Sequence, residues 1–315
     1  MSTAVIVLLF ALGVVLIVKG GDAFVDAATW IAEAFHIPKF IVGATIVSLA
    51  TTLPELLVSS IAAAQGRAEM AIGNAVGSVT ANLGLILGIS IFCMPSAMKR
   101  RKFALKGLLM IAAAGLLYLL SRGGVLSQQS GMLLLAIFAV FLCLNLREAG
   151  RALGASSGER PEGGLVLNLV KFALGAAGIV LGAQLLVDNG SALARMLGVP
   201  EGIIGVTMIA IGTSLPELVT TLTAIAKRQA ALSIGNIIGA NVIDLTLILP
   251  IAAYISHGSL PITAQSLQLD FPVCFLVCLI AIVPPLLTER FRRWQGLALL
   301  GTYGAYIVVL CRLFL

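Results

Sequence analysis

The sequence predicts an all-α polytopic membrane protein with ten transmembrane helices in two inverted-topology five-helix repeats. Three observations predict this class: the apolar composition, a segment that occurs twice, and the uneven placement of basic residues. The chain has 315 residues, of which 59% are hydrophobic and 11% are charged, and its mean hydropathy is +1.08. Soluble domains carry about 25% charged residues, so the composition excludes an ordinary soluble protein.

The apolar runs are long enough to cross a bilayer as helices. About 20 residues are needed to span roughly 30 Å of hydrocarbon. A β-barrel would alternate apolar and polar positions, and the runs do not alternate. The predicted spans are residues 2–35, 38–66, 70–92, 103–121, 128–147, 164–197, 200–227, 231–255, 268–287 and 294–313. The first and sixth exceed the bilayer thickness, so we expect both to be steeply tilted.

The duplicated segment divides the chain into two units. Residues 38–87 align without a gap to residues 200–249 at an offset of 162, and 20 of the 50 pairs are identical. The first predicted repeat therefore covers residues 1–147 and the second covers 164–315. The polar residues 148–163 between them form a short cytoplasmic connector.

The basic residues predict the orientation of the spans. With the N-terminus outside, 15 lysines and arginines fall in or beside cytoplasmic connectors and four fall outside. The positive-inside rule then places both termini outside. Five spans per unit is an odd number, so the second unit enters from the opposite side and the repeats are inverted. This placement also accounts for the net charge of +6 without nucleic-acid binding.

Each copy carries a proline followed by a glutamate inside a span. Pro54 and Pro216 cannot donate a backbone hydrogen bond, so each breaks its helix and frees carbonyl groups. Glu55 and Glu217 come next. A carboxylate inside the membrane is costly, which makes it a functional-site candidate.

The following span of each copy supplies further polar side chains at four-residue spacing, which share one helix face. These are Asn74, Ser78 and Asn82 in the first copy, and Asn236, Ala240 and Asp244 in the second. The predicted cluster is Glu55, Glu217, Asp244 and Asn82, surrounded by Thr51, Thr52, Ser78, Thr213 and Ser214. Such hard oxygen ligands suit calcium or sodium. No lysine or arginine of the repeated core neutralises the cluster, so a cation is expected to do so.

No catalytic residue and no cofactor are predicted. The five cysteines lack metal-site spacing, and the two histidines lie in connectors. The acids Asp26 and Asp188, which occupy matching positions in the first and sixth spans, have no assigned role.

The paired Gly-x-Thr…Thr-(Thr/Ser)-Leu-Pro-Glu and Gly-Asn-x-x-Gly-(Ser/Ala) motifs resemble the cation/calcium exchanger superfamily, closest to its prokaryotic sodium/calcium exchanger branch. The resemblance implies a calcium/sodium antiporter of the prokaryotic plasma (inner) membrane. It needs no obligate protein partner, and its first and sixth helices slide during alternating access. It implies that Glu55 and Glu217 are central calcium ligands shared with sodium, with Asn82 and Asp244 beside them. The implied flanking sodium ligands are Thr51, Thr52, Ser78, Thr213 and Ser214, with the backbone carbonyls of Ser48 and Ala210.

Two positions depart from the family pattern. Ala240 replaces the serine that matches Ser78, and Val79 stands where the second copy has Asn241. The first departure removes one sodium ligand. Coupling to protons or potassium therefore stays open as an alternative with the same fold. An intramembrane hydrolase and a passive cation channel are less favoured alternatives.

Overall fold

The structure, a computed structural model, describes residues 2–97, 100–154, 164–198, 212–256 and 258–314, and most of these residues are helical. In this part of the chain, eight helices are long and apolar enough to cross a membrane, and a bent helix pair makes a possible ninth. The helices are α1 Thr3–Ala34, α2 Lys39–Thr51, α3 Leu53–Ala64, α4 Ala68–Cys93, α5 Arg100–Leu120, α6 Gln128–Gly154, α7 Leu165–Met196, α8 Leu215–Ala226, α9 Ala230–Ile255, α10 Ser266–Thr288 and α11 Arg293–Phe314.

The helix bounds lie within a few residues of most predicted spans. One difference is at α6, which continues to Gly154 and makes the start of the predicted connector helical. Polar residues such as Glu148 and Arg151 continue the helix beyond its apolar part. Of the predicted span 200–227, the structure describes the part from residue 212, which includes α8.

The proline-glutamate motif breaks its helix as predicted. Helix α2 ends at Thr51, and α3 begins at Leu53 with proline in its first turn, at an angle of 45° to α2. Ser214 precedes α8 with torsion angles of φ −87° and ψ 5°, close to the φ −87° and ψ 2° of Thr52 before α3. The two copies therefore enter their second half-helices with the same backbone conformation.

Three helices contain a π-helical segment that coincides with polar residues. These segments are Asn82–Leu87 in α4, Asp244–Ile248 in α9 and Ser266–Asp270 in α10. A fourth, Gly43–Val47, lies in α2. π-Helical turns inside α-helices are frequent at functional sites. The segments of α4 and α9 begin at positions related by the repeat offset.

The long helices α1 and α7 pack backbone to backbone through glycine. A Cβ atom at Gly13 would lie 3.0 Å from the carbonyl oxygen of Gly182, and one at Gly20 would lie 2.9 Å from that of Gly175. Gly13 and Gly175 are equivalent in the two repeats, as are Gly20 and Gly182. Gly13 thus contacts Gly182, the equivalent of Gly20, and Gly20 contacts Gly175, the equivalent of Gly13. This reciprocal pattern is the one that a two-fold axis produces.

The connectors form two contacts at a distance in sequence. Strand β1, Val125–Ser127, follows α5 and pairs antiparallel with strand β2, Ser259–Pro261, which follows α9. A β-bridge joins Ala97 to Arg290, next to the ends of α4 and α10. Helices α4 and α9 are buried at the centre of the fold, and the candidate site lies on them.

Candidate ion-binding site

Three carboxylates lie in the centre of the protein with no exposed surface. Glu55 and Glu217 belong to the first turns of α3 and α8, and Asp244 is the first residue of the π segment in α9. The hydroxyl group of Thr51 lies near enough to Glu217 to interact with its carboxylate, and none of the three acids forms an ion pair among the described residues. Glu55 lies close enough to Glu217 and Asp244 for the three charges to interact through space. Buried charges need compensation, so this arrangement calls for a cation.

Two asparagines join α4 to α9 beside these carboxylates. Asn82 donates a hydrogen bond from Nδ2 to Oδ1 of Asn241 at 3.2 Å, and its own Oδ1 has no partner. Both side chains are buried. A free amide oxygen in such a place is available to a cation.

The predicted hydroxyl groups lie at the break between α2 and α3 and at the start of α8. Thr52 donates to the Ser48 carbonyl oxygen at 2.7 Å, and Thr51 bonds the same oxygen at 3.3 Å. Thr51 also donates to Oδ1 of Asn236 at 3.3 Å, which connects α2 to α9. The remaining lone pairs of these oxygens stay available to an ion.

The opposite side of the site has a different hydroxyl pair. The hydroxyl oxygens of Ser78 and Thr213 are 3.5 Å apart, and the Ser214 hydroxyl has no partner. The residue of the second copy that matches Ser78 is Ala240, whose side chain is a buried methyl group. Thr51, the equivalent of Thr213, bonds Asn236 instead. The predicted carbonyl ligand Ala210 lies outside the described residues.

A comparison with protein families decides the classification. The family described as sodium/calcium exchanger protein matches residues 5–147 and 167–312. The chain belongs to this family.

Relatives align over nearly the whole chain. The sodium/calcium exchanger MaX1 of Methanosarcina acetivorans is 29% identical, with 96% of this chain and 97% of the relative covered. The inner membrane protein YrbG of Escherichia coli is 32% identical, with 96% of this chain and 95% of the relative covered. The structure of the sodium–calcium exchanger NCX_Mj soaked with Na+ and Sr2+ has a similar fold. It aligns with a TM-score of 0.85 at 29% sequence identity, and the alignment covers 98% of this chain and 99% of that chain.

The candidate site does not consist of acidic side chains alone. Within the described ranges, no group of three or more His, Cys, Asp or Glu side chains converges closely enough to hold a metal ion. The donor set therefore has to include hydroxyl, amide and carbonyl oxygens between the carboxylates. The nearly buried Lys106 is paired with Glu148 at 2.8 Å.

Several buried polar residues were missed by sequence reasoning. Asp270 in α10 accepts hydrogen bonds from Tyr306 at 3.0 Å and Ser266 at 3.2 Å. These bonds satisfy its carboxylate, and the residue lies outside the repeated motif. Thr220, Thr221 and Ser233 are buried in the α8–α9 hairpin, and their hydroxyl groups have no partner in the described part of the chain. A comparison of the two copies could have identified two of them, because Thr220 and Ser233 stand where the first copy has Val58 and Ala71.

Asp26 does have a partner in the structure. The Lys227 ammonium lies 2.7 Å from Asp26 and 3.3 Å from Asp22, which ties α1 to the end of α8. Asp188, its equivalent in α7, forms no ion pair among the residues that the structure describes. Among the described residues, this ion pair therefore has no equivalent in the other repeat.

Proposed function

We propose that this protein is a secondary active antiporter that exchanges calcium for sodium across the membrane by alternating access, with no catalytic activity and no cofactor. The observation that carries the proposal is the set of three fully buried carboxylates, none of which forms an ion pair with a basic residue in the described part of the chain. Ca2+ takes six to eight oxygen ligands and favours carboxylates, and Na+ uses the same class of ligand. Exchange follows if the two ions occupy overlapping ligands, because one must then leave before the other binds.

The names of the relatives support this choice of ions. MaX1 is named a sodium/calcium exchanger, and the NCX_Mj crystals were soaked with Na+ and with Sr2+, a divalent ion that resembles Ca2+. Both align over at least 96% of this chain. Transfer of their ions to this chain is part of the proposal.

The proposed ligand roles are those that the family resemblance implies for the two copies. We assign Glu55 and Glu217 to the central calcium position, with Asn82 and Asp244 at the same level. The flanking sodium positions use Thr51, Thr52, Ser78, Thr213 and Ser214, with the carbonyl groups of Ser48 and Ala210. In the first copy, Thr51 and Thr52 both bond the carbonyl oxygen of Ser48, which keeps their hydroxyl groups within one turn of Glu55.

The proposed architecture has ten spans in two inverted five-helix repeats. The crossed glycine contacts between α1 and α7 support it, because they are what an axis relating two inverted copies produces. The connector contacts agree as well. In the ten-span order, β1 and β2 both fall outside, whereas Ala97 and Arg290 both fall inside. No pair joins connectors assigned to opposite sides.

Alternating access is proposed to use the α1–α7 pair. Close contacts between small residues let long helices slide, because no side chain has to leave an interlocking position. The half-helices α3 and α8 would stay with the central helices and keep the glutamates in place.

The proposed location is a prokaryotic plasma (inner) membrane with both termini outside. The proposal predicts that a cysteine placed at residue 160 reacts with an impermeant thiol reagent only from the cytoplasm. A tag after Leu315 should be accessible only from outside. Accessibility of both from one side would contradict inversion of the repeats.

The coupling ion is tested by calcium uptake into proteoliposomes. Outward gradients of sodium, protons and potassium are imposed separately, with external 45Ca2+ as the transported ion. We expect uptake with the sodium gradient alone. Uptake that follows a proton gradient and ignores sodium would replace sodium by protons, a second candidate that the missing hydroxyl at Ala240 favours. Calcium flux without any counter-ion would identify a channel instead.

A further inference from the structure

A second group of buried polar atoms lies one helical turn from Glu217. It consists of the hydroxyl groups of Thr220, Thr221 and Ser233 and Nδ2 of Asn236, all in the α8–α9 hairpin. All four residues have zero exposed surface. None of these four atoms has a hydrogen-bond partner among the residues that the structure describes.

The equivalent hairpin, α3–α4, shows how such residues can satisfy one another. The two hairpins have the same turn: Arg67 N bonds the Ala62 carbonyl at 2.8 Å, and Gln229 N bonds the Ala224 carbonyl at 2.7 Å. Both turns contain a left-handed residue, Gly66 at φ 71° and Arg228 at φ 57°. Equal turns place equivalent residues opposite each other across each hairpin.

Hydrogen bonds connect the two helices of the first hairpin, although Oδ1 of Asn74 has no partner among the described residues. Nδ2 of Asn74 donates to the Ser59 hydroxyl at 2.9 Å, and Ser59 donates to the Ala71 carbonyl at 3.2 Å. The equivalent residues in the second hairpin are Thr221, Asn236 and Ser233, and neither bond forms between them. The second hairpin therefore has more hydroxyl groups than the first but lacks these two hydrogen bonds between its helices.

The α8–α9 hairpin borders the candidate ion site. Thr220 and Thr221 follow Glu217 by three and four residues, so they lie on the same face of α8. Asn236 accepts a hydrogen bond from Thr51 through Oδ1, which leaves Nδ2 as its free group. The polar atoms thus extend the site from Glu217 toward the turn at residues 227–229.

The chemistry of these atoms selects water as their ligand. An unsatisfied buried donor or acceptor is energetically unfavourable, so four of them in one hairpin indicate that something binds there. A hydroxyl group both donates and accepts, and the amide nitrogen donates. Water matches all four atoms, and buried waters typically form about three hydrogen bonds. None of the four atoms belongs to a carboxylate, so the set does not suit a dehydrated divalent cation.

We propose that the α8–α9 hairpin is a hydration site next to Glu217, and that it rehydrates the cation that leaves the central site on this side. The second clause rests on the proposed antiport function, whereas the water site itself does not. The helices of the equivalent α3–α4 hairpin are joined by hydrogen bonds, so the two access routes to the central site differ in hydration.

The water itself is tested by a crystal structure at about 2 Å or better in sodium-containing buffer. The proposal expects ordered water bonded to at least two of the four polar atoms, and none between Ser59 and Asn74. Direct bonds between Thr221, Ser233 and Asn236 would overturn it. A density peak with the contacts of about 2.4 Å that a dehydrated cation makes would also overturn it.

The role in transport is tested by giving the second hairpin the residues of the first. The Thr220→Val/Ser233→Ala variant should slow sodium-driven calcium exchange about tenfold with calcium affinity unchanged, because rehydration affects ion release. Ser233→Ala alone should show part of the effect and guards against misfolding, since alanine occupies this backbone position at Ala71. The matched control, Ser59→Ala, should leave the exchange rate within about twofold.

The outcomes separate the two proposals. An unmodified protein that does not exchange calcium for sodium contradicts the antiport function but leaves the water site to the crystal structure. An unmodified protein that exchanges the ions, with unchanged rates in both second-hairpin variants, overturns the rehydration role alone.

Discussion

The α3–α4 and α8–α9 hairpins have nearly the same backbone and different hydrogen bonding. In the first, Asn74 turns to Ser59 within its own hairpin; in the second, Asn236 accepts from Thr51 of α2. In the first, Ser78 meets Thr213, whereas Ala240 offers only a methyl group in the second. Equivalent positions of the two copies therefore make different contacts, both where the residue is the same, as at Asn74 and Asn236, and where it is replaced, as at Ser78 and Ala240.

Both copies have a glutamate directly after the proline, and changing either glutamate should have the largest effect on exchange. We expect Glu55→Gln and Glu217→Gln each to lower calcium exchange by about 100-fold or more. Each loses a charged ligand worth roughly 2–3 kcal/mol. The measurement is 45Ca2+ uptake into proteoliposomes. Glu69→Gln, at an exposed acid of the same repeat, is the control and should exchange normally. A strong defect in only one glutamate variant would show that the copies are unequal even here.

The crossed glycines of α1 and α7 provide the next test, because they depend on the symmetric relation of the copies. A Cβ atom at Gly175 would lie 2.7 Å from the backbone nitrogen of Phe24, so Gly175→Ala should force the helices apart at a cost of about 1–3 kcal/mol. Thermal unfolding in detergent should show a lower Tm, and exchange should slow. Gly178→Ala is the matched control, since its Cβ atom would meet its nearest neighbours at an ordinary 3.4 Å. Equal behaviour of both variants would mean that the α1–α7 contact is loose.

Ala240→Ser would make the second copy more like the first. The added hydroxyl supplies one neutral ligand worth about 1 kcal/mol, so the sodium concentration for half-maximal exchange should fall about fivefold. Calcium affinity should change little, because Glu55 and Glu217 are untouched. Ser78→Ala is the reciprocal variant and should weaken sodium binding further. Sodium dependence that is the same in both variants would remove this pair of positions from the sodium sites.

The ion pair of Lys227 differs between the repeats and lies outside the candidate ion site. Its removal should have the smallest effect on exchange. The first copy has Gln65 at this position, so Lys227→Gln makes the copies equal. Both aspartates are about half exposed or more. The loss should therefore stay below about 1 kcal/mol and change the exchange rate less than fivefold. Asp188→Asn, at the unpaired equivalent of Asp26, is the control and should have no effect. A large effect of Lys227→Gln would show that the ion pair holds α1 in one of its positions.

The same ion pair is expected to be insensitive to pH in the neutral range. Partial burial lowers the pKa of Lys227, but the hydrogen bonds and charges of Asp26 and Asp22 outweigh it and raise the pKa above its ordinary value. A raised pKa means that the stabilisation is complete below the ordinary lysine pKa and is lost only as pH rises through the higher value. The effect of Lys227→Gln on Tm should thus be the same at pH 6 and pH 8.

The sequence by itself determined the fold class, most helix bounds and the positions of the central polar residues. Apolar runs are long because a helix must satisfy its backbone inside lipid, and the proline before Glu55 sets the break in the helix because its nitrogen cannot donate. The offset of 162 also marked Ala240 as unequal to Ser78. These features depend on local chemistry or on direct comparison of residues.

Only the tertiary structure decided which polar groups meet. No spacing along the chain indicates that Thr51 bonds Asn236, that Asn82 bonds Asn241, or that Lys227 binds Asp26. Nor could it indicate that the Thr221 hydroxyl has no partner while its equivalent, Ser59, does. Hydrogen bonds and ion pairs act over a few ångströms, and which atoms come that close depends on how helices far apart in the sequence pack.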